Sequence, residues 1–141
     1  MSSLIKVLNN ASLAKLEEGV HPHLCKVVEL AFELSPNAFI ITEGLRTKKR
    51  QAQLLASGAS TTMNSRHLTG HAVDVAVLVG GKIRWDWPLY DQLSEHFKEA
   101  ARRLSIPIEW GGDWPRLRDG PHYQLPWKQY PLNDQRPIPQ G

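Results

Sequence analysis

Apolar residues along this chain fall into a few clear rhythms. Across residues 21–35, Leu24, Val27, Val28, Ala31 and Leu34 recur three and four positions apart. That spacing predicts one face of a helix, with Pro22 suited to its first turn and Pro36 closing it. A second helical stripe runs through Leu89, Leu93, Phe97, Ala100, Ala101 and Leu104, opening at Asp86 and Pro88 and ending before Pro107. Between them Thr47 can cap a shorter helix through Gln51, Leu54 and Leu55, with Gly58 as its left-handed stop. The period changes to two over residues 72–78, where Val73, Val75 and Val77 alternate with Ala72, Asp74 and Ala76. A strand is expected there, with Asp74 on the face away from the valines. Gly80-Gly81 followed by Lys82, Ile83, Arg84 and Trp85 completes a hairpin. Residues 38–42, 108–110 and 122–125 read as further short strands, and the Ser/Thr-rich 59–64 as loop.

Three helices mixed irregularly with short strands and a hairpin point to an α+β fold rather than a doubly wound sheet. The 141 residues, 41% hydrophobic and 22% charged, suit one small single domain. We expect it to span residues 1–125, with 126–141 as a Pro-rich tail that drapes over the domain or frays. The lone Cys25 excludes an internal disulfide and lies within the first apolar helix, where a buried, inert thiol is expected. A net charge of +3 fits an acidic partner but names none. Lys48-Lys49-Arg50 and Arg102-Arg103 read as solvated helix faces, so no nucleic-acid partner is expected. The start, MSSLIKVLNN, has no charged segment followed by a long apolar one, so no signal peptide is expected. The most apolar stretch, 72–79, contains Asp74 and is far shorter than a bilayer span, which argues against stable membrane insertion.

The densest polar information lies between Ser65 and Asp74. On one continuous helix His67 and Asp74 would stand ~10 Å apart, too far to share an ion. A loop, a turn at Gly70 and then a strand can fold them together, offering nitrogen and oxygen to zinc. The alternative is a surface histidine and a carboxylate capping a turn. A second cluster runs from Glu109-Trp110-Gly111-Gly112-Asp113-Trp114 to Asp119-Gly120-Pro121-His122. His122 would complete a His, Asp, His set that leaves one position for water, and Asp119 could take that water's proton. Here too a plainer alternative stands, in which the acidic residues serve turns and the tryptophans the core; for Glu109, Asp113 and Trp114 we favour it. Serine chemistry at Ser65 lacks a Gly-x-Ser-x-Gly context, and a hydrogen-bonding role beside the loop is simpler.

Together these strings resemble a known family. Ser65-x-His67-x-x-Gly70-x-Ala72-x-Asp74, then Trp110-Gly111-Gly112-Asp113-Trp114 and Asp119-x-Pro121-His122-Tyr123-Gln124, look like the VanY-type zinc peptidases, in particular the phage L-alanyl-D-glutamate endopeptidases used as endolysins. Upstream, Glu43-Gly44-Leu45-Arg46-Thr47, Arg50-Gln51, Leu54 and Gly58-Ala59-Ser60 match the same family, so the likeness covers about residues 21–124. It implies an antiparallel sheet with about three packed helices, as in D-Ala-D-Ala carboxypeptidases of the VanY type. It also implies Zn2+ held by His67, Asp74 and His122, Asp119 as catalytic base, and Arg46 as a cation near the scissile carbonyl or a substrate carboxylate. An Asp at the base position resembles the endolysin branch, whereas the carboxypeptidase branch typically has Glu, and this tilts the expected bond toward L-Ala-D-Glu. His71 stays unassigned: it could compete as a ligand, and it faces away from the metal if the strand begins early. The implied partner is the stem peptide of bacterial peptidoglycan, met by a monomer without a separate wall-binding domain. Such enzymes are similar in waiting in the host cytoplasm until a separate pore-forming protein releases them to the cell wall. The competing readings are a D,D-carboxypeptidase of the same family and a non-catalytic, zinc-stabilised wall-binding module.

Overall fold

A computed structural model describes residues 8–131. Five strands make one sheet: β1 (Phe39–Glu43), β2 (Ala72–Val79), β3 (Lys82–Arg84), β4 (Glu109–Trp110) and β5 (His122–Gln124). Its order is β1-β2-β5-β4, with β3 also paired to β2, and every pairing is antiparallel. The long strand β2 organises the rest. Its start pairs with β5 and its end with β3 in the hairpin at Gly80-Gly81. Val73, Val75 and Val77 are fully buried, and so are Ala72 and Ala76, so β2 is covered on both faces with Asp74 as the half-buried break. Strand β1 begins one residue later than expected and runs through Glu43.

Among the described residues four helices pack around this sheet: α1 (Asn10–Glu17), α2 (Pro22–Leu34), α3 (Lys48–Ala56) and α4 (Trp87–Leu104). The apolar stripes of α2 and α4 meet each other, as their periodicity requires. Phe32, Phe39 and Phe97 continue that contact into the sheet, and Phe97 stacks on Tyr123 of β5 with ring centroids 3.7 Å apart. The Tyr90 hydroxyl accepts from Val77 N (2.9 Å) and donates to the Arg84 carbonyl (2.7 Å), locking the hairpin to α4. Helix α1 is an addition to the three expected. Asn9 caps it, and its buried Ser12 hydroxyl accepts from Ile41 N in β1 at 2.8 Å. Helix α3 is capped by Thr47 and stopped at Gly58, as its sequence indicates, and Lys48, Lys49 and Arg50 are exposed.

The chain does not leave the domain at 125. The guanidinium of Arg66, itself buried, donates to the carbonyls of Leu125, Pro126 and Tyr130 and lies 4.2 Å from the Trp127 ring centre. Tyr130 also bonds His23 through its hydroxyl at 2.8 Å. Residues 126–131 therefore drape over the domain, and the rest of the Pro-rich segment lies outside the described residues. Cys25 is half-buried, with Leu16 O and Val20 O near its sulfur, and burial followed by the charge of Glu29 pushes its thiol up to about 12. Among the described residues no helix is long and apolar enough to cross a membrane.

Two predictions follow from this packing. Gly70 has φ 75°, and a Cβ there would run into the Gly19 carbonyl, so Gly70→Ala should cost at least about 2 kcal/mol, read as a lower urea midpoint. The Cys25 thiol should react with iodoacetamide at pH 8 at least about tenfold more slowly than in the urea-unfolded chain, because little thiolate is present.

Candidate metal centre

Glycine decides where the first candidate ligand sits. Ser65 caps a short 3-10 helix, Arg66–Thr69, accepting from His67 N, and Gly70 ends it in the left-handed conformation before β2 begins. This turn reverses the chain within four residues, so His67 folds back beside Asp74 and the separation of an extended helix never arises. On the other side, the register of β2 with β5 sets Asp74 directly opposite His122. Residues 48 positions apart thereby become cross-strand neighbours. The ligand atoms of His67, Asp74 and His122 all lie within 4.8 Å of one another, the only such group of His, Cys, Asp or Glu among the described residues.

Hydrogen bonds orient each imidazole. His67 Nδ1 lies 2.8 Å from the Gly44 carbonyl, which can only accept, so that nitrogen carries the proton and Nε2 keeps its lone pair. Nε2 is buried and has no hydrogen-bond partner; Asp74 Oδ2 is 3.2 Å away without hydrogen-bond alignment. His122 is held the other way round: Nε2 faces Gln124 Oε1 at 2.8 Å, and Nδ1 faces Asp74 Oδ1 at 3.1 Å. The His67 lone pair, a second imidazole nitrogen and one carboxylate thus converge. Ions bound by such a set have bonds of about 2.0–2.2 Å, and the mixed N and O donors suit zinc. An orphaned, buried imidazole nitrogen is costly unless something occupies the space before it. On that observation the residues fit a divalent metal.

Without an ion, the charges compensate one another. Burial disfavours the Asp74 carboxylate, but the His122 hydrogen bond and the two nearby imidazoles outweigh it and hold the group well below the usual carboxylate range. Burial likewise opposes a charged His122, yet Asp74, Gln124 and Asp119 together raise it. Asp119 behaves differently: burial and the nearby Asp74 charge raise its carboxyl above the ordinary value, against His122, His67 and Arg46. It sits three residues before His122, whose N–H bonds the Asp119 carbonyl, while Asp119 N donates to Gly111 O.

Arg46 is less free than its expected role suggests. Its Nε and Nη2 make a paired contact with Glu43 at 2.7 and 2.8 Å, and Nη1 donates to Gln51 at 2.7 Å. Nη2 still stands 3.7 Å from Asp74 Oδ2. Burial disfavours the Glu43 carboxylate, but the Arg46 contact more than compensates and lowers it. Gln51, fully buried, reaches on to Ser60 and the Thr62 carbonyl and so pins the 59–64 loop to the guanidinium. Glu43 and Arg46, with His67, Asp74, Asp119 and His122, line one groove of about 770 Å³.

Some wall residues escaped the sequence reading. Glu109 and Trp114, read as turn and core residues, face the groove, with the Trp114 ring 5.1 Å from that of His122. Glu43 and Gln124 join them. Their placement follows from strand register and loop closure, which no local motif announces. Asp113 is an exposed partner of Lys98 at 2.9 Å. His71 is turned elsewhere, bonded to Thr69 Oγ1 and packed 5.4 Å from the His21 ring.

The profile of the phage L-alanyl-D-glutamate peptidase family matches residues 5–124. The chain belongs to this family. Relatives include the L-alanyl-D-glutamate peptidase of Escherichia phage T5, 39% identical over 99 residues, covering 67% of this chain and 72% of that protein. The L-alanyl-D-glutamate peptidase of Listeria phage A118 is 42% identical over 91 residues, which cover 64% of this chain but only 31% of that longer protein. The crystal structure of the Serratia marcescens L-Ala D-Glu endopeptidase ChiX superposes with a TM-score of 0.84 at 43% identity, over 91% of this chain and 96% of that one. The α+β architecture read from the sequence is therefore that of this peptidase family.

Close packing behind the groove gives a test. A Cβ on Gly111 would collide with the Asp119 carbonyl and come within 3.1 Å of the His122 Cβ. Gly111→Ala should therefore destabilise the family member by about 1–3 kcal/mol, seen in thermal unfolding, and displace the Asp119 turn in a crystal structure.

Proposed function

We propose that the chain is a zinc-dependent peptidoglycan endopeptidase that hydrolyses the L-Ala-D-Glu bond of the stem peptide, with His67, Asp74 and His122 as the zinc ligands. The observation that carries this reading is the buried, unpartnered Nε2 of His67 beside Asp74 and His122 at the groove floor. Family membership supplies the reaction class, and the relatives named above act on the L-Ala-D-Glu linkage.

Bound zinc would supply Lewis acidity and bring the pKa of water from 15.7 toward about 7, so that hydrolysis needs no covalent enzyme intermediate. Asp119 takes the proton from the attacking water and returns it to the leaving nitrogen as the amide C–N bond breaks. Asp119 lines the same groove as the three ligands, three residues before His122, where it can serve both halves of that transfer. Arg46 contributes fixed positive charge near the carbonyl oxygen as it becomes negative, and Glu43 with Gln51 keeps the guanidinium from swinging away. A groove of about 770 Å³ is in the range that takes a small peptide. A wall-binding module held together by metal would have no use for Asp119 in the same groove, so we favour catalysis. In this reading the chain works as a monomeric phage lysis enzyme that remains in the host cytoplasm until a separate pore-forming protein opens the way to the cell wall.

Digestion of purified sacculi followed by mass spectrometry of the new termini tests the bond: peptides beginning at D-Glu support the proposal, and loss of terminal D-Ala alone would replace it with the carboxypeptidase reading. Asp119→Ala should keep stoichiometric zinc while turnover falls by roughly 10²–10⁴-fold. His122→Ala should lose both zinc and turnover. Wild-type lysis by Asp119→Ala would remove Asp119 from the role of base.

A further inference from the structure

We propose that Glu109 and Gln124 form a positioning relay that fixes which nitrogen of His122 faces the metal; this rests on the zinc-site reading above. Strand register builds the relay. Asp74 pairs with His122 across β2 and β5, and Gln124 pairs with Glu109 across β5 and β4. His122 and Gln124 are two residues apart on one strand, so their side chains share a face of the sheet. The four side chains form one row: Asp74 Oδ1 to His122 Nδ1 at 3.1 Å, His122 Nε2 to Gln124 Oε1 at 2.8 Å, Gln124 Nε2 to Glu109 Oε1 at 3.0 Å.

The direction of this row is set at its far end. A carboxylate only accepts hydrogen bonds, so Glu109 draws the amide NH₂ of Gln124 toward itself. The amide oxygen must then face His122, and an oxygen there requires the proton on Nε2. Nδ1, which faces the Asp74 carboxylate, is then the nitrogen that can give up its proton and offer its lone pair to a metal. Were Gln124 reversed, its NH₂ would face Nε2, favour the proton on Nδ1 and block the ligand. Coordinates alone seldom distinguish the two ends of an amide, but the acceptor-only carboxylate does so chemically. His67 is oriented by a backbone carbonyl, which cannot turn round. His122 has no such carbonyl on Nε2 and depends on a side-chain amide that can rotate. Glu109 is the group that removes this freedom, although it is itself exposed at the edge of the groove.

The test uses Glu109→Gln, which keeps shape but can donate as well as accept, and Gln124→Met, which keeps length but removes the acceptor. Zinc affinity is measured by competition with a chromophoric chelator. Ring-nitrogen NMR reads the tautomer and the exchange rate of the His122 Nε2 proton. Loss of ligand-orienting partners of this kind lowers metal affinity by about 10–100-fold. We expect the lower end for Glu109→Gln and the upper end for Gln124→Met, with a slowly exchanging Nε2 proton in the zinc-loaded wild type that exchanges fast in Gln124→Met. In the metal-free protein, where Asp74 Oδ1 can also accept from Nδ1, the Nε2 proton should still exchange slowly in the wild type and fast in Gln124→Met. Unchanged affinity and unchanged Nε2 proton exchange in both variants would overturn the relay. Failure of the wild type to take up zinc would overturn the parent reading instead, and the metal-free exchange rate would still decide the relay.

Discussion

Two antiparallel strands, β2 and β5, lie side by side so that Asp74 and His122 are cross-strand partners, and almost everything at the groove floor depends on this register. A slip of one residue would turn both side chains to the opposite face and bring core valines into the groove. The packing around the pair prevents it. Phe97 stacks on Tyr123, the residue after His122, while Val73 and Val75, on either side of Asp74, are fully buried. The hydrophobic core and the polar site are thus alternate residues of the same strands, and the burial of one set holds the other in place.

The polar face answers a different problem, that of keeping charged and neutral donors together out of water. Each group is matched to a neighbour whose donor or acceptor character is fixed. A backbone carbonyl faces His67, Glu43 and Gln51 surround Arg46, and the Glu109–Gln124 pair faces His122. Buried polar networks are favourable when every member is satisfied and costly when one is not. Here a single atom, His67 Nε2, lacks a hydrogen bond among these three assemblies, and it lies beside Asp74 and His122.

Much of this was legible in the sequence, for physical reasons that differ by element. Helices α2 and α4 show because each buries a continuous stripe against the other, and β2 because its valines alternate. Helix α3 is marked by its cap and stop, Thr47 and Gly58. Helix α1 was not legible: its eight residues bury little beyond Leu16 and Ser12, and its attachment comes from one hydroxyl meeting a strand N–H. The three expected ligands do meet, because Gly70 turns the chain locally while the β2–β5 pairing brings His122 from 48 residues away. Glu109 could not be assigned. Its neighbour Gln124 lies fifteen residues away, and only the two-residue strand β4 brings them together.

The grip of Arg66 on the segment after β5 bears on where the folded unit ends. The family profile ends at 124, yet a buried guanidinium finds its acceptors at 125, 126 and 130. A truncation at the last recognisable motif would remove those carbonyls and uncover the face of the domain that the segment shields. Residues 125–130 therefore belong to the same folded unit as the strands, several residues past the point where the profile alone would end it.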